Sequence, residues 1–382
     1  MRITRREFLL QTSKLGLGSL MGAGAASAAG QVGRQGASPA KERVAAVQFH
    51  PKLGDVDANL EKAGRLVREA FSKGARWVVL PEFFTSGFAM HKAMMDAHRP
   101  LAGQPSQFLS DLAKAGNGYV GGSYLAKSRD DIFNTFVLAG PSGETFSHDK
   151  DFPSTALESS FYAGGEDDVY VQKLKADGVT TKAEVIPRRP GNNVDGLFSL
   201  GGINVGAACC WELARYRTAK RLRGKINLLL AASCWPHADP ELGWPGRTRD
   251  DIAGTRANQK LLIENAPRRQ ARLLGVPVVH ANFTGLNPGF SSNTFEQAAT
   301  TSFFGLSQIV DAHGEIVARL GTEEGVLVGD VEISHANPQE EIPDEFWIPE
   351  MPQRGRRNWS ITGAAGRDFY LTVTRPHIRR SS

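Results

Sequence analysis

The chain has 382 residues, 41% of them hydrophobic and 22% charged, and a formal charge of +5, the profile of a globular protein able to bury a large core. Residues 1–28 hold Arg2, Arg5, Arg6 and Lys14 against Glu7, so without them the balance falls to +2, too weak to point to nucleic acid as a partner. Three cysteines and the absence of Cys-x-x-Cys, His-Glu-x-x-His and Gly-x-x-x-x-Gly-Lys spacings exclude a disulfide framework and give no support to a metal, a cofactor or phosphate-loop chemistry.

The first residues, "MRITRREFLLQTSKLGLGSLMGAGAASAAG", run from a positive start through Arg5-Arg6 and Phe8-Leu9 to a weakly apolar Gly/Ala stretch and a small-x-small site at Ala26-Ser27-Ala28. That order resembles a twin-arginine export signal over 1–28, which implies a periplasmic destination. The apolar stretch is too short and Gly-rich to span a bilayer stably. Residues 29–42 read as a flexible lead-in.

From residue 43 to about 335, strand-like and helix-like runs alternate. "VAAVQF" (44–49) reads as a strand, and 57–73 as a helix with Leu60, Ala63, Val67, Ala70 and Phe71 on one face. "RWVVL" (76–80) is a strand stopped by Pro81; "GYVGGSYLA" (118–126) and "NTFVLAG" (134–140) follow as strands. Residues 163–196 read as an insertion or surface loop. "INVGAACC" (203–210) leads into a helix over roughly 213–223, then "INLLLAA" (226–232), a long helix ending near Gly275, and "VPVVHAN" (276–282). Residues 235–254, with three prolines, read as a pocket lid. Three late runs, 301–310, 315–319 and 325–332, look like strands. The tail, 336–382, contains one strand-like run, "FYLTVT" (369–374), and reads as a surface wrap or an arm packing on a partner subunit. Strands alternating with helices indicate a layered α/β domain.

Three apolar runs end in a reactive side chain: Glu82 after "VVLP", Lys150 in "FSHDKDFP", and a cysteine in "GAACCWE". Strand ends at one sheet edge are where α/β folds build sites. Taken singly, each has a plain structural explanation: a turn carboxylate, a surface lysine, a core cysteine. In that order, however, Glu82, Lys150 and Cys210 resemble the Glu–Lys–Cys set of the nitrilase, or carbon–nitrogen hydrolase, superfamily. "VAAVQFHPKLGDVDANLEKA" is similar to that family's opening strand and helix, and "ARWVVLPEFFTSG" to its Glu motif. "KDFPSTALESSFYAGG" is similar to its Lys motif, with Glu158 at the position of a second, assisting Glu. "GINVGAACCWELAR" resembles its Cys motif; "GVPVVHANFTG" and "FFGLSQIVDAHGEIVARLG" resemble its closing strands.

The resemblance covers about 43–335 and implies a four-layer α-β-β-α sandwich with subunits that pair into a homodimer or larger assembly. It implies Cys210 as nucleophile, two residues before Glu212. Glu82 is then general base, and Lys150 and the Trp211 N–H stabilise an oxyanion; no cofactor is needed. A helix headed by Cys210 would favour its thiolate. Cys209, on the opposite face of its strand, and Cys234 read as packing residues. Arg215 reads as a partner of Glu212 or a binder of a substrate carboxylate; Trp235 has no assigned role. The expected substrate is a small amide or ureido (N-carbamoyl) compound. A nitrile substrate, a non-catalytic binding protein and a thiol-redox protein are the competing readings.

Overall fold

The computed structural model describes residues 40–154, 158–166, 168–174, 180–200, 202–291, 298–349, 351 and 353–380. The export signal and most of the lead-in fall outside the described residues. Parallel strands buried on both faces need continuous apolar runs and helical cover, and the sequence supplies both twice over.

In the first half, β1 (Ala40–Gln48), β2 (Trp77–Val79) and β3 (Tyr119–Ser128) are parallel neighbours. They are continued antiparallel by β4 (Asp131–Ala139) and β5 (Thr145–Asp149). With Gly325–Ile333 on the other edge and the short Arg99–Pro100 strand, they make a seven-stranded sheet. Helices α1 (Val56–Ser72) and α2 (Gln104–Gly116) cover one face. The Asp55 carboxylate caps α1 by accepting from the Ala58 N–H at 3.1 Å, leaving one fewer orphan donor in its first turn. Val56, Leu60, Ala63, Val67 and Ala70 are its buried stripe; Phe71 is only half-buried.

The second half repeats the arrangement. Here β6 (Leu197–Leu200), β7 (Ile203–Cys209), β8 (Leu228–Ala232) and β9 (Val278–Ala281) lie side by side, with β7, β8 and β9 parallel. Gln308–Val310 and Ile316–Arg319 complete a six-stranded sheet. Helices α3 (Tyr216–Leu222) and α4 (Arg249–Leu274) cover its outer face.

The side-chain period of two decides the layering. Val44 and Ala46 of β1 pack with Leu228, Leu230 and Ala232 of β8 in a core between the sheets. Ala45 and Val47 point outward to α1 and α2, and Leu229 and Ala231 to α3 and α4. The result is the expected α-β-β-α sandwich, with the C-terminal ends of its parallel strands bringing the site residues together.

Five expectations need correction. The 163–196 insertion is not a loop throughout: Asp168–Leu174 and Thr180–Ile186 pair as antiparallel strands, and both contain β-branched residues that favour strands. The expected lid is in part regular structure: Pro236–Ala238 pairs with Ala298–Phe303, and α4 starts at Arg249 behind the Thr248 cap. The run 301–310 is two strands, broken at Gly305, whose φ of +67° ends the extended path. The helix expected over 213–223 is shorter: a 3-10 turn spans Cys210–Ala214, Arg215 is extended, and α3 begins only at Tyr216.

The fifth concerns "FYLTVT", which is helical, a π-turn (Tyr370–Thr374) between α5 (Gln353–Phe369) and Arg375–Arg380. Tyr370 and Thr374 of the turn and Ile378 of the helix after it are buried, a helical spacing of four that outweighs the local β-propensity. The tail packs on its own chain. The Tyr370 hydroxyl accepts from the Ile132 N–H at 3.1 Å and donates to Asp131 at 2.9 Å, and the Thr374 hydroxyl donates to the Ser160 carbonyl at 2.6 Å.

Candidate active site

Glu82 follows β2 by three residues, Lys150 follows β5 directly and Cys210 follows β7 directly. The first two come from one sheet and the third from the other, so the site straddles the sandwich. Glu158 lies in the segment after Lys150. All four side chains are buried, with Glu82 and Lys150 fully so and Cys210 at 1% exposure. A lysine with no exposure is not a surface charge, and it needs partners.

The partners are the two carboxylates. Lys150 Nζ lies 2.9 Å from Glu82 Oε1 and 2.7 Å from Glu158 Oε2. Glu82 Oε1 also accepts from Asn134 Nδ2 at 2.7 Å, and Oε2 from the Cys234 N–H at 3.0 Å. Glu158 Oε2 accepts from the Ser154 N–H at 2.8 Å and from the Tyr162 hydroxyl. Ligand-type atoms of Glu82, Glu158 and Cys210 lie within 4.8 Å of one another, and Lys150's ammonium answers both carboxylates. Cys210 Sγ is 3.9 Å from the Cys234 carbonyl. Cys234 therefore serves the cluster through its backbone, while its side chain packs in the first sheet's core.

Cys209 and Cys210 part company as alternation requires. Cys209 enters the core between the sheets, whereas Cys210 joins Ala214, Trp235, Ile263, Phe304 and Leu306 in a separate apolar cluster. Cys210 has φ of +49° and Phe83, after Glu82, +56°. A non-glycine residue in the left-handed region costs about 1–3 kcal/mol and persists where its surroundings enforce it. Both junctions beside the reactive groups carry this strain.

Electrostatics set the protonation states. Burial, with Glu158 adding to it, pushes Glu82 up to about 7 against the pull of Lys150. Burial alone would lower Lys150, but Glu158 and Glu82 hold its ammonium well above the usual range. Burial and then Glu82 push the Cys210 thiol well above its ordinary value, with Lys150 opposing them. The expectation that a helix headed by Cys210 would favour the thiolate fails. Only a five-residue 3-10 turn starts there, and desolvation outweighs it. The arrangement is a buried neutral thiol beside a carboxyl that titrates near neutrality and a fixed ammonium. That suits nucleophilic attack coupled to proton transfer.

The sequence reading missed a second buried network. Glu212 accepts from the Cys209 N–H at 2.8 Å and from the Asp151 N–H at 3.1 Å, and so ties the residue before Cys210 to the residue after Lys150. Arg221 at 3.0 Å and His148 at 3.1 Å flank it. Although burial opposes it, Arg221 and then His148 hold Glu212 well below the carboxylate range. Arg215 does not pair with Glu212; its guanidinium pairs with Asp151. Asn134 and Tyr162 were also missed, because nothing local marks a strand Asn or a loop Tyr as facing a charge cluster. Trp211 packs against Trp235, Trp347 and Trp359 at centroid distances of 4.8, 5.8 and 4.8 Å.

The chain is similar to known proteins in sequence and in fold. The family model described as carbon-nitrogen hydrolase matches residues 43–339. Omega-amidase NIT2 of Danio rerio is 25% identical over 316 residues, covering 79% of this chain and 93% of that protein. The 2-oxoglutaramate amidase of Bacillus subtilis is 25% identical, covering 79% and 96%. Among solved structures, a carbon-nitrogen hydrolase of Helicobacter pylori G27 superposes with a TM-score of 0.57 at 16% identity, covering 77% of this chain and 90% of that one. An amidase from Nesterenkonia sp. superposes at 0.54 and 18%, covering 83% and 96%.

Proposed function

Because the chain belongs to the carbon–nitrogen hydrolase family, we propose that it cleaves the carbon–nitrogen bond of a small amide or N-carbamoyl compound through a thioester on Cys210. The observation that carries this reading is the fully buried Lys150 held between Glu82 and Glu158, with the Cys210 sulfur beside them. Sγ attacks the carbonyl carbon as Glu82 takes the thiol proton, so the thiolate need not exist beforehand. The carbonyl oxygen becomes an oxyanion, met by the Lys150 ammonium and the Trp211 N–H. That N–H stands in the first turn of a 3-10 segment, where the turn supplies no acceptor.

The tetrahedral adduct collapses with loss of the amine, which receives its proton from Glu82. Water then attacks the thioester, Glu82 takes the water proton, and the acid leaves as the thiol re-forms. Glu158 holds Lys150 in place. Relatives named as amidases support an amide rather than a nitrile. Intact-protein mass spectrometry during turnover tests the reading, with ammonia release assayed on amides, ureido compounds and nitriles. An acyl adduct mapped to Cys210 is expected; its absence with every hydrolysed substrate, or turnover of nitriles alone, counts against the reading.

The leader supports two further assignments, export by the twin-arginine route and residence in the periplasm. Cell fractionation tests both. A homodimer or larger assembly is the proposed oligomeric state, to be read by light scattering.

A further inference from the structure

Cys210, Lys150 and Glu82 have almost no exposure, so a substrate must be received beside them before it can react. One cavity of about 360 Å³, within the size range of small-molecule sites, is walled in part by residues that follow these closely in sequence. Phe152 and Pro153 of its wall follow Lys150 by two and three residues, and Ser159 follows Glu158. Trp347 and Trp359 of its wall pack on Trp211, which also touches the apolar cluster holding Cys210. Trp211 thus lies between the cavity's wall and the cluster that holds the nucleophile.

The wall has a definite chemistry. Three guanidinium groups line it, Arg215, Arg356 and Arg367, and among the described residues of the wall none is a carboxylate. Arg215 is 1% exposed; Asp151 meets one of its terminal nitrogens, and its buried Nε has no hydrogen-bond partner. Its Cζ lies 5.3 Å from the Trp347 ring centroid and 5.7 Å from that of Phe152, so the fork is held flat among rings. Planar guanidinium groups match a carboxylate, and the aromatic remainder suits an apolar body.

Phe346, Trp347, Trp359, Arg356 and Arg367 also lie beyond residue 339, where the family match ends. This half of the wall comes from the tail beyond the family match.

We propose that the tail completes a subsite for the acyl part of the substrate, and that this part carries a carboxylate on an apolar or aromatic body. The inference rests on the Cys210 hydrolase reading and names the substrate class for it. The test uses the full-length protein and matched pairs of amides and ureido compounds, each a free carboxylate and its methyl ester. Wild type is expected to favour the free acid at least 10-fold in kcat/KM. R356Q and R356Q/R367Q should lower kcat/KM for the acid about 10-fold or more, mostly through KM, and leave the ester within about twofold.

Equal wild-type rates on acid and ester, or equal losses on both in the variants, overturn the subsite. Arg356 is exposed, so R356Q alone is expected to fold and decides the matter if the double variant does not. Failure of the underlying reading looks different: no amide or ureido compound of either charge is turned over, and no adduct forms on Cys210.

Discussion

Cys209 and Cys210 are neighbours in sequence with opposite fates, because a strand turns successive side chains to opposite faces. Cys209→Ser is expected to keep kcat within about threefold while losing about 1–3 kcal/mol of stability, since it buries a hydroxyl between two apolar sheets. Cys210→Ser is expected to lower kcat at least about 10³-fold with an unchanged melting temperature. Paired kinetics and thermal melts on the two variants read both effects, and the reverse pattern would name the wrong cysteine. Glu82 gives the pH dependence. Its pKa is raised to about 7, so the carboxylate that accepts the thiol proton becomes the main form only above that pH. kcat/KM should therefore rise with pH through about 7 and fall away on the acid side. A profile flat from pH 5 to 9 is the contrary result.

The elements show how local signals gain or lose authority. α1 was legible because its apolar stripe and Asp55 cap agree. α2 carries comparable signals in Pro105, Leu109, Leu112 and Ala113, yet the reading in chain order passes over it, between the Glu motif and the next strand. "FYLTVT" misleads in the other direction, since its aromatic and β-branched residues favour a strand in isolation. Tertiary contacts make it a helical turn, with the Tyr370 hydroxyl bridging Ile132 and Asp131. Tyr370→Phe leaves a buried N–H without its acceptor and is expected to cost about 1–3 kcal/mol, measured by urea unfolding. A loss near zero would mean that the tail is held by packing alone.

At the scale of the whole molecule, Glu82 and Lys150 belong to one sheet and Cys210 to the other, so the distance between sheets is a catalytic dimension. Links at the site that fix it include the Cys234 N–H to Glu82, and Glu212 to both the Cys209 and Asp151 N–H groups. Glu212→Gln replaces one acceptor with a donor that faces a donor. The expected outcome is a kcat loss on the order of 100-fold, since small misplacements of reacting groups are that costly, with KM changed much less. Steady-state kinetics on a variant shown to be folded by circular dichroism checks it. Unaltered kcat would make Glu212 a purely structural charge.

While the four-layer sandwich came from the family resemblance, the sequence by itself determined a layered α/β domain and the order of the reactive residues. Both depend on periodicity and on short runs around Glu82, Lys150 and Cys210, which are local properties of a chain. It also separated Cys209 from Cys210, once alternation along one strand was combined with the family resemblance. Only the tertiary structure decided that Lys150 lies fully buried between two carboxylates, that Glu212 answers Arg221 and His148 while Arg215 answers Asp151, and that the tail returns to wall a cavity beside Trp211. Each of these joins residues that are remote in sequence, or selects one of several nearby charges. The selection follows from burial, where an unanswered charge is too costly to leave in place.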